Sequence, residues 1–324
     1  MPTLTVVVPA TDLPATLPRC TAALARASDV DEVVVVDGPR SMSVCEARNA
    51  GARRATGEIV VFVDSDVEVH PDALTRVKAA FGEHPGVAAV FGSYDDTPSR
   101  GGTVAAFRNL LHHHVHQGAG GPASTFWSGL GAVRRDAFLA VGGFDAARFP
   151  HPSVEDIDLG SRLVAAGARI RLDPAIQGTH LKAWTLRTMV FTDFARRGVP
   201  WVALLLRSGQ GSAALNLGWR HRLSAALCAA GTAALLARRP GPAAGALAAL
   251  VGLNHGFYRM LARRRGPGEA LVGIGLHVVH HLTAVAAVPA GVLAHVAEQR
   301  RATRPPAGTT PAGTAATSRR EESR

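Results

Sequence analysis

Residues 47–72 read ARNAGARRATGEIVVFVDSDVEVHPD, and this stretch decides the fold. At its centre, Ile59–Val63 is an unbroken apolar run dominated by valine. Short and without alternation, it suits a strand buried on both faces of a parallel sheet. The run ends on Asp64-Ser65-Asp66. Further out, Leu4–Val8, Glu32–Val36 and Val87–Phe91 have the same character. The intervening Ala15–Ala27, Val44–Ala55 and Pro71–Phe81 are helix-compatible, the last with Pro71 at a first helical position. Strand and helix alternating at this spacing predict an α/β domain whose helices cover a mostly parallel sheet.

Ligands of such sheets bind beyond the carboxyl ends of the strands. The residues at those ends are Pro9 and Ala10, then Asp37 and Gly38, then Asp64-Ser65-Asp66. No GxGxxG or GxxxxGK[ST] stands at any of these turns, which argues against dinucleotide oxidoreductases and P-loop enzymes. An Asp-x-Asp at a strand end brings two hard oxygen donors together, a set suited to Mg²⁺ or Mn²⁺ with a diphosphate. Taken alone, the pair reads more readily as a surface turn or a helix cap.

The chain has 324 residues, 47% hydrophobic and 19% charged, with a formal charge of +10. That composition is too apolar for disorder. Three widely spaced cysteines, Cys20, Cys45 and Cys228, exclude a disulfide scaffold or a zinc–thiolate site and read as small buried hydrophobes. The basic residues thicken after position 182, beside apolar runs. Arg220 and Arg222 precede Leu223–Ala237, Arg238 and Arg239 separate it from Ala243–Phe257, and Arg263–Arg265 precede Ala270–Val296. Arginines punctuating apolar runs suit a membrane region and its lipids, not a nucleic-acid stripe. The third run is long enough for roughly 30 Å of hydrocarbon; the first two suit either full spans or halves of a re-entrant hairpin. A buried helical bundle is the alternative. Leu4–Val8 lacks the basic start of a signal peptide, which predicts an N-terminal half on the cytoplasmic side of the cell membrane.

Six stretches together carry a resemblance: LTVVVPA (4–10), VVVVDG (33–38), the 47–72 stretch, FWSGLGAVRRDAFLAVGGFD (126–145), VEDIDLGSRLVAAGARIRLDP (154–174) and GTHLKAW (178–184). In order and spacing they resemble the nucleotide-sugar glycosyltransferases of family 2, with the Rossmann-like GT-A fold, over residues 3–207. The subgroup they resemble follows its catalytic domain with membrane helices. The resemblance implies a catalytic domain over 1–207 with interfacial helices at 182–207. Membrane-associated helices at 208–299 and a disordered basic tail at 300–324 would follow.

By the same resemblance, Pro9 shapes the nucleobase pocket and Asp37 accepts the imide N–H of a uracil or thymine. DGPR at 37–40 departs from the relatives' usual second acidic residue. Arg48 either contacts the nucleotide or braces the Asp64 loop, and Gly51 allows close helix–sheet contact. Asp64 lies near ribose and metal, Asp66 on the metal, and His180, ending a strand over Ile176–Thr179, is either a third metal ligand or structural. Glu155 and Asp156 open a predicted helix, Asp156–Ala166. Asp156 becomes the general base for a hydroxyl acceptor, with Glu155 orienting neighbours or the acceptor. Trp127, Ser128 and Gly129 fall in the donor-sugar and acceptor pocket, Trp127 stacking on a sugar or filling the core.

The implied activity is inverting transfer from a UDP- or TDP-linked sugar to a hydroxyl on a lipid-anchored molecule or envelope glycan. Transfer to polyprenyl phosphate, or a degenerate membrane scaffold, are the alternatives. The histidines at 112, 113, 114 and 116 read as a solvated or interfacial helix, with only His112 and His116 on one face. Lys182–Arg207, mixing Trp184, Arg196, Arg197 and Trp201 with apolar residues, suits the headgroup layer.

Overall fold

The computed structural model describes residues 2–11, 13–99, 102–208 and 218–302. Strands β1 (Leu4–Pro9), β2 (Glu32–Val36) and β3 (Ile59–Val63) form where the apolar runs predict them. Helices α1 (Leu17–Arg26), α2 (Val44–Arg54) and α3 (Ala73–Glu83) connect and follow them. The start of α2 is set by a capping box. The Ser43 hydroxyl accepts from the Glu46 amide, and the Glu46 carboxylate accepts from the Ser43 amide. Pro71 stands outside α3, contrary to expectation. Its carbonyl accepts from the Ser28 amide (3.1 Å), which anchors the turn before the helix.

Strands β4 (Val67–Val69), β5 (Val87–Tyr94), β6 (Gly121–Ala123), β7 (Leu130–Arg134) and β8 (Arg169–His180) complete one eight-stranded sheet. Its order is β2-β1-β3-β7-β5-β8-β4, with β6 on β8. β1 pairs parallel with β2 and β3, and β5 with β8. β7 runs antiparallel to both β3 and β5, and β4 and β6 run antiparallel to β8. The sheet is therefore mixed, where the sequence predicted mostly parallel. A short apolar run carries no information on strand direction or on its place in the sheet: β2, expected to be buried on both faces, lies at the sheet edge with Val33 41% exposed.

Every residue of β1 and β3 is buried. Val6 and Val8 face Leu24 and Leu74 on one side of the sheet, while Val7, Val60 and Phe62 join Phe138 and Leu159 on the other. Alternating side chains thus feed two cores. The second side also carries α5 (Arg135–Ala140) and α6 (Glu155–Ala165). Gly51 of α2 lies so close to β1 that a Cβ there would sit 2.2 Å from Val7 Cγ1. Gly51→Val is therefore expected to cost about 1–3 kcal/mol through overpacking. A denaturation midpoint equal to the wild type's would contradict this packing.

Helix α4 (Thr103–Gln117) follows β5, and α7 (Leu186–Phe191), a π-helical stretch (Thr192–Gly198) and α8 (Val199–Ser208) follow β8. The remainder is helical: α9 (Trp219–Leu236), α10 (Pro240–Leu253), α11 (His255–Arg265) and α12 (Pro267–Ala302). Phe107, Leu110 and Leu111 of α4 share one core with Phe257, Tyr258 and Leu261 of α11 and Leu276 of α12. The C-terminal helices are thus docked on the α/β half. Helices α9 and α10 pack on each other as a hairpin, joined through Arg238 at φ +58°. Among the described residues, α12 is the one helix long and apolar enough to cross a membrane; α10 is shorter. Helix α12 continues through Arg300 and Arg301, so the first residues of the expected tail are helical; 303–324 lie outside the described residues.

Candidate active site

The parallel arrangement of β1, β2 and β3 puts Pro9, Asp37 and Asp64 on one rim of the sheet. The Asp64 amide donates to the Gly129 carbonyl (3.1 Å), tying this turn to the start of β7. Two residues on, antiparallel pairing sets His180 opposite Val67, and the Leu181 amide donates to the Asp66 carbonyl (2.8 Å). The Asp66 carboxylate and the His180 ring consequently meet, with Oδ2 and Nε2 3.6 Å apart. Tyr94, at the end of β5, stacks on His180 at 4.2 Å and 14°.

Arg48 joins the two acidic stretches. Its guanidinium, 3% exposed, donates to Asp64 Oδ1 (2.6 Å) and to Glu155 Oε1 (2.9 Å). Burial works against its charge, but the carboxylates of Asp64 and Glu155 outweigh it and raise its pKa. Glu155 also accepts from the Ser153 amide (2.6 Å). The geometry makes Arg48 the brace between strand end and helix start. Arg48, Asp64, Asp66, Ser128, Glu155, Asp156 and His180, all sequence-predicted, line a single cleft.

Asp156 is the least compensated of these carboxylates. It accepts from the Ile157 amide (2.8 Å) and, at 3.4 Å, from the Ser128 amide. Burial, then the neighbouring Glu155 charge, push its pKa up from 3.8 to about 7. Asp66 moves the other way: burial would raise it, but the His180 hydrogen bond and the His180 and Lys182 charges hold it below the usual carboxylate value. One rim thus carries a carboxylate kept ionised and another poised to exchange a proton near neutrality.

The remaining predicted residues stand around this cleft, not in it. Trp127 lines an adjoining cavity shared with Asp156, its ring against His112 (4.6 Å) and edge-on to Tyr94 (4.9 Å). Gly129 makes room for that indole, since a Cβ would fall 2.4 Å from Trp127 Cζ2. Asp37 is exposed and Pro9 buried; neither lines the cleft.

Helix α4 is not the solvated or interfacial helix expected. His113 and His116 bond the carbonyls of Tyr94 and Gly92 (2.8 and 2.9 Å), and the His112 ring lies tilted against those of Tyr94 and His116. Burial pushes His116 down to about 4 and His112 well below its ordinary value. The helix is covered on both sides, by β5 and by α11 and α12, so its polar residues turn inward. Arg108 of the same helix reaches the cleft and pairs with Asp193 (3.1 Å).

The segment after β8 also differs from expectation. Lys182, Trp184, Arg196 and Arg197 turn into the cleft instead of only outward. Trp184 lies beneath Arg108 and Lys182, at 5.1 and 4.7 Å. These cations, with Tyr94, were missed as site residues. The basic character of 182–207 was visible in the sequence; its direction was not. The result is an acidic rim facing a basic wall, a polarity suited to a diphosphate held between a cation and guanidinium groups.

Asp66 and His180 fit a divalent cation. At 3.6 Å apart, both reach one ion at roughly 2.0–2.2 Å, and the O,N donor pair is a divalent-cation donor set. Asp64 directs Oδ1 to Arg48 instead.

Comparison with known proteins agrees with this architecture. Residues 39–142 match the model of the family described as Glycosyl transferase family 2. Two relatives named "Pre-mycofactocin glycosyltransferase", from Mycobacterium tuberculosis strains CDC 1551 / Oshkosh and ATCC 25618 / H37Rv, are 32% identical over 168 residues. That match covers 48% of this chain and 35% of each relative, so the chain spans about a third of the relatives' length. Among solved structures, "Mannosyltransferase PcManGT from Pyrobaculum calidifontis in complex with GDP-Man and Mn2+" superposes with a TM-score of 0.53 at 17% identity. It covers 88% of this chain and 87% of its own. Residues 39–142 are thus similar to the family 2 glycosyltransferases, and the α/β half has the GT-A fold.

Proposed function

We propose that this cleft transfers a sugar from a nucleoside-diphosphate sugar to a hydroxyl acceptor, with inversion and with a divalent cation held by Asp66 and His180. The observation that carries the reading is the Arg48 bridge. It holds the Asp64–Asp66 turn and the Glu155–Asp156 helix start in one cleft, donor-gripping groups on one side and a proton acceptor on the other.

Each step follows from the chain's own groups. Arg108, Lys182, Arg196 and Arg197 face the diphosphate and offset the charge that grows on it as the glycosidic bond breaks. The cation, when bound, supplies Lewis-acid stabilisation to the same leaving group. Asp156 accepts the proton of the attacking hydroxyl, which is far too weakly acidic to react unaided at neutral pH. One displacement at the anomeric carbon then inverts configuration without a covalent enzyme intermediate. A phosphate acceptor such as polyprenyl phosphate needs no base, so a carboxyl tuned to about 7 favours the hydroxyl. Pro9 and Asp37, on the same rim, are proposed for the base of a UDP- or TDP-linked donor.

The test is binding and turnover with a panel of UDP-, TDP- and GDP-sugars in Mn²⁺, with pre-mycofactocin among the acceptors because the relatives carry that name. Asp66→Ala or EDTA is expected to weaken donor binding at least about tenfold. Undiminished binding and transfer in EDTA would remove the metal from the reading.

The division into a catalytic part over 1–207 and membrane-associated helices over 208–299 is likewise proposed. It is supported by large exposed hydrophobics along the C-terminal helices, among them Leu236 (82%), Leu271 and Leu293 (both 70%). The protein is expected to stay with membranes through a carbonate wash. Release into the soluble fraction would refute insertion.

A further inference from the structure

Helix α12 is apolar outward, yet carries His277, His280 and His281 on the side turned into the protein. Ionisable side chains inside an apolar helix are costly, and their presence asks for a function. His221, at the first turn of α9, comes to meet them. Nitrogens of His221, His280 and His281 all lie within 4.8 Å of one another.

We infer that His221, His280 and His281 form a transition-metal site, separate from the Asp66–His180 pair, for a divalent ion of the zinc class. The donor chemistry supports this ion: three imidazoles with no carboxylate among them suit zinc and its neighbours, not Mg²⁺.

The surroundings are those of a built site. His280 Nδ1 bonds Asp193 Oδ2 at 2.8 Å, which leaves Nε2 for the ion and fixes the ring by a carboxylate. His281 is held from behind by His277, with their Nε2 atoms 3.0 Å apart, and His277 in turn by the Tyr258 hydroxyl (2.8 Å). A chain of polar contacts therefore orients two of the three ligands before any ion arrives. The three histidines line a cavity of about 240 Å³ walled by Trp201, Leu205 and Val285, which leaves a fourth position for water or an anion. Arg197 on the same wall suits an anionic fourth ligand.

The site would clamp α9 to α12. Through Asp193 it also reaches Arg108, whose guanidinium lines the sugar-transfer cleft. Its occupancy would then tie the C-terminal helices to the wall that faces the donor.

The experiment uses the full chain, purified without a polyhistidine tag and stripped with a chelator. With the other cation site removed by Asp66→Ala, about one equivalent of Zn²⁺ should rebind, Co²⁺ should give the visible bands of a tetrahedral imidazole site, and Zn²⁺ should raise the thermal unfolding midpoint. His221→Gln, His280→Gln and His281→Gln are each expected to weaken Zn²⁺ binding at least about tenfold. Asp66→Ala, which cripples the other site, should leave it intact, so failure here is distinguishable from failure of the sugar-transfer reading. No zinc uptake by the wild type overturns the inference, as does undiminished uptake when His221→Gln and His281→Gln are added to Asp66→Ala. Should the variants not fold, X-ray absorption on the zinc-loaded wild type decides: a shell of three imidazoles supports the site, and an oxygen shell overturns it.

Discussion

Asp156→Asn is expected to lower sugar transfer by about 10²–10⁴-fold while donor binding persists. The amide keeps the shape of the side chain and, through its one oxygen, the 2.8 Å bond from the Ile157 amide, but cannot take a proton. In the proposed mechanism donor binding rests on other groups, Asp66, His180 and the basic wall, so the loss should fall on turnover. The pH profile follows from the same carboxyl. Burial and Glu155 push it up to about 7, so its ionised fraction, and with it the wild-type rate, should climb tenfold per pH unit below 7 and level off above. Stability has the opposite sign. A carboxyl raised in the folded state favours folding below its ordinary value of 3.8, and that contribution fades as pH rises through about 7. Asp156→Asn, neutral throughout, should therefore unfold at a higher temperature than wild type above pH 7, and the advantage should shrink towards pH 4. A variant that turns over normally would place the base elsewhere.

Arg48→Met is expected to destabilise the fold by about 3–5 kcal/mol. The guanidinium is almost fully buried and answers two carboxylates at once. Removing it leaves Glu155, 4% exposed, as a charge without its counter-ion in the interior. The cost is that of an uncompensated buried charge, not of one lost hydrogen bond. Arg48→Lys should recover little, because one ammonium on a flexible stem cannot reproduce a planar fork between two acceptors. The double variant Arg48→Met/Glu155→Gln should recover part of the loss, which identifies the pair as coupled. Urea denaturation measures all three. A loss below about 1 kcal/mol for Arg48→Met would mean that the bridge is solvated.

The acidic rim was legible because its residues stand at the ends of elements the sequence announces and fall in the stretches that carry the family resemblance. Asp64 and Asp66 close a valine-rich strand, Asp37 closes another, and Glu155 and Asp156 open an amphipathic helix. The basic wall was not legible in the same way. Arg108 stands on a helix whose four histidines suggested solvent, and Tyr94 ends a strand longer than its apolar run. Lys182, Arg196 and Arg197 belong to a segment whose mixture of arginine and tryptophan matched a headgroup layer equally well. Composition reports that a segment is cationic and aromatic, and says little about which face turns inward.

Residue types alone located β1, β2, β3, most of β5 and the end of β8, the carboxylates that follow β2 and β3, and the apolar half of the chain, because apolar runs and the polar residues that end them are written locally. Long-range packing alone decides that β7 runs against its neighbours, that Arg48 clasps Asp64 and, 107 residues away, Glu155, and that His221 meets His280 and His281. These depend on strand direction and helix docking, which are set by the summed packing of distant segments and leave no mark on any short stretch of residues.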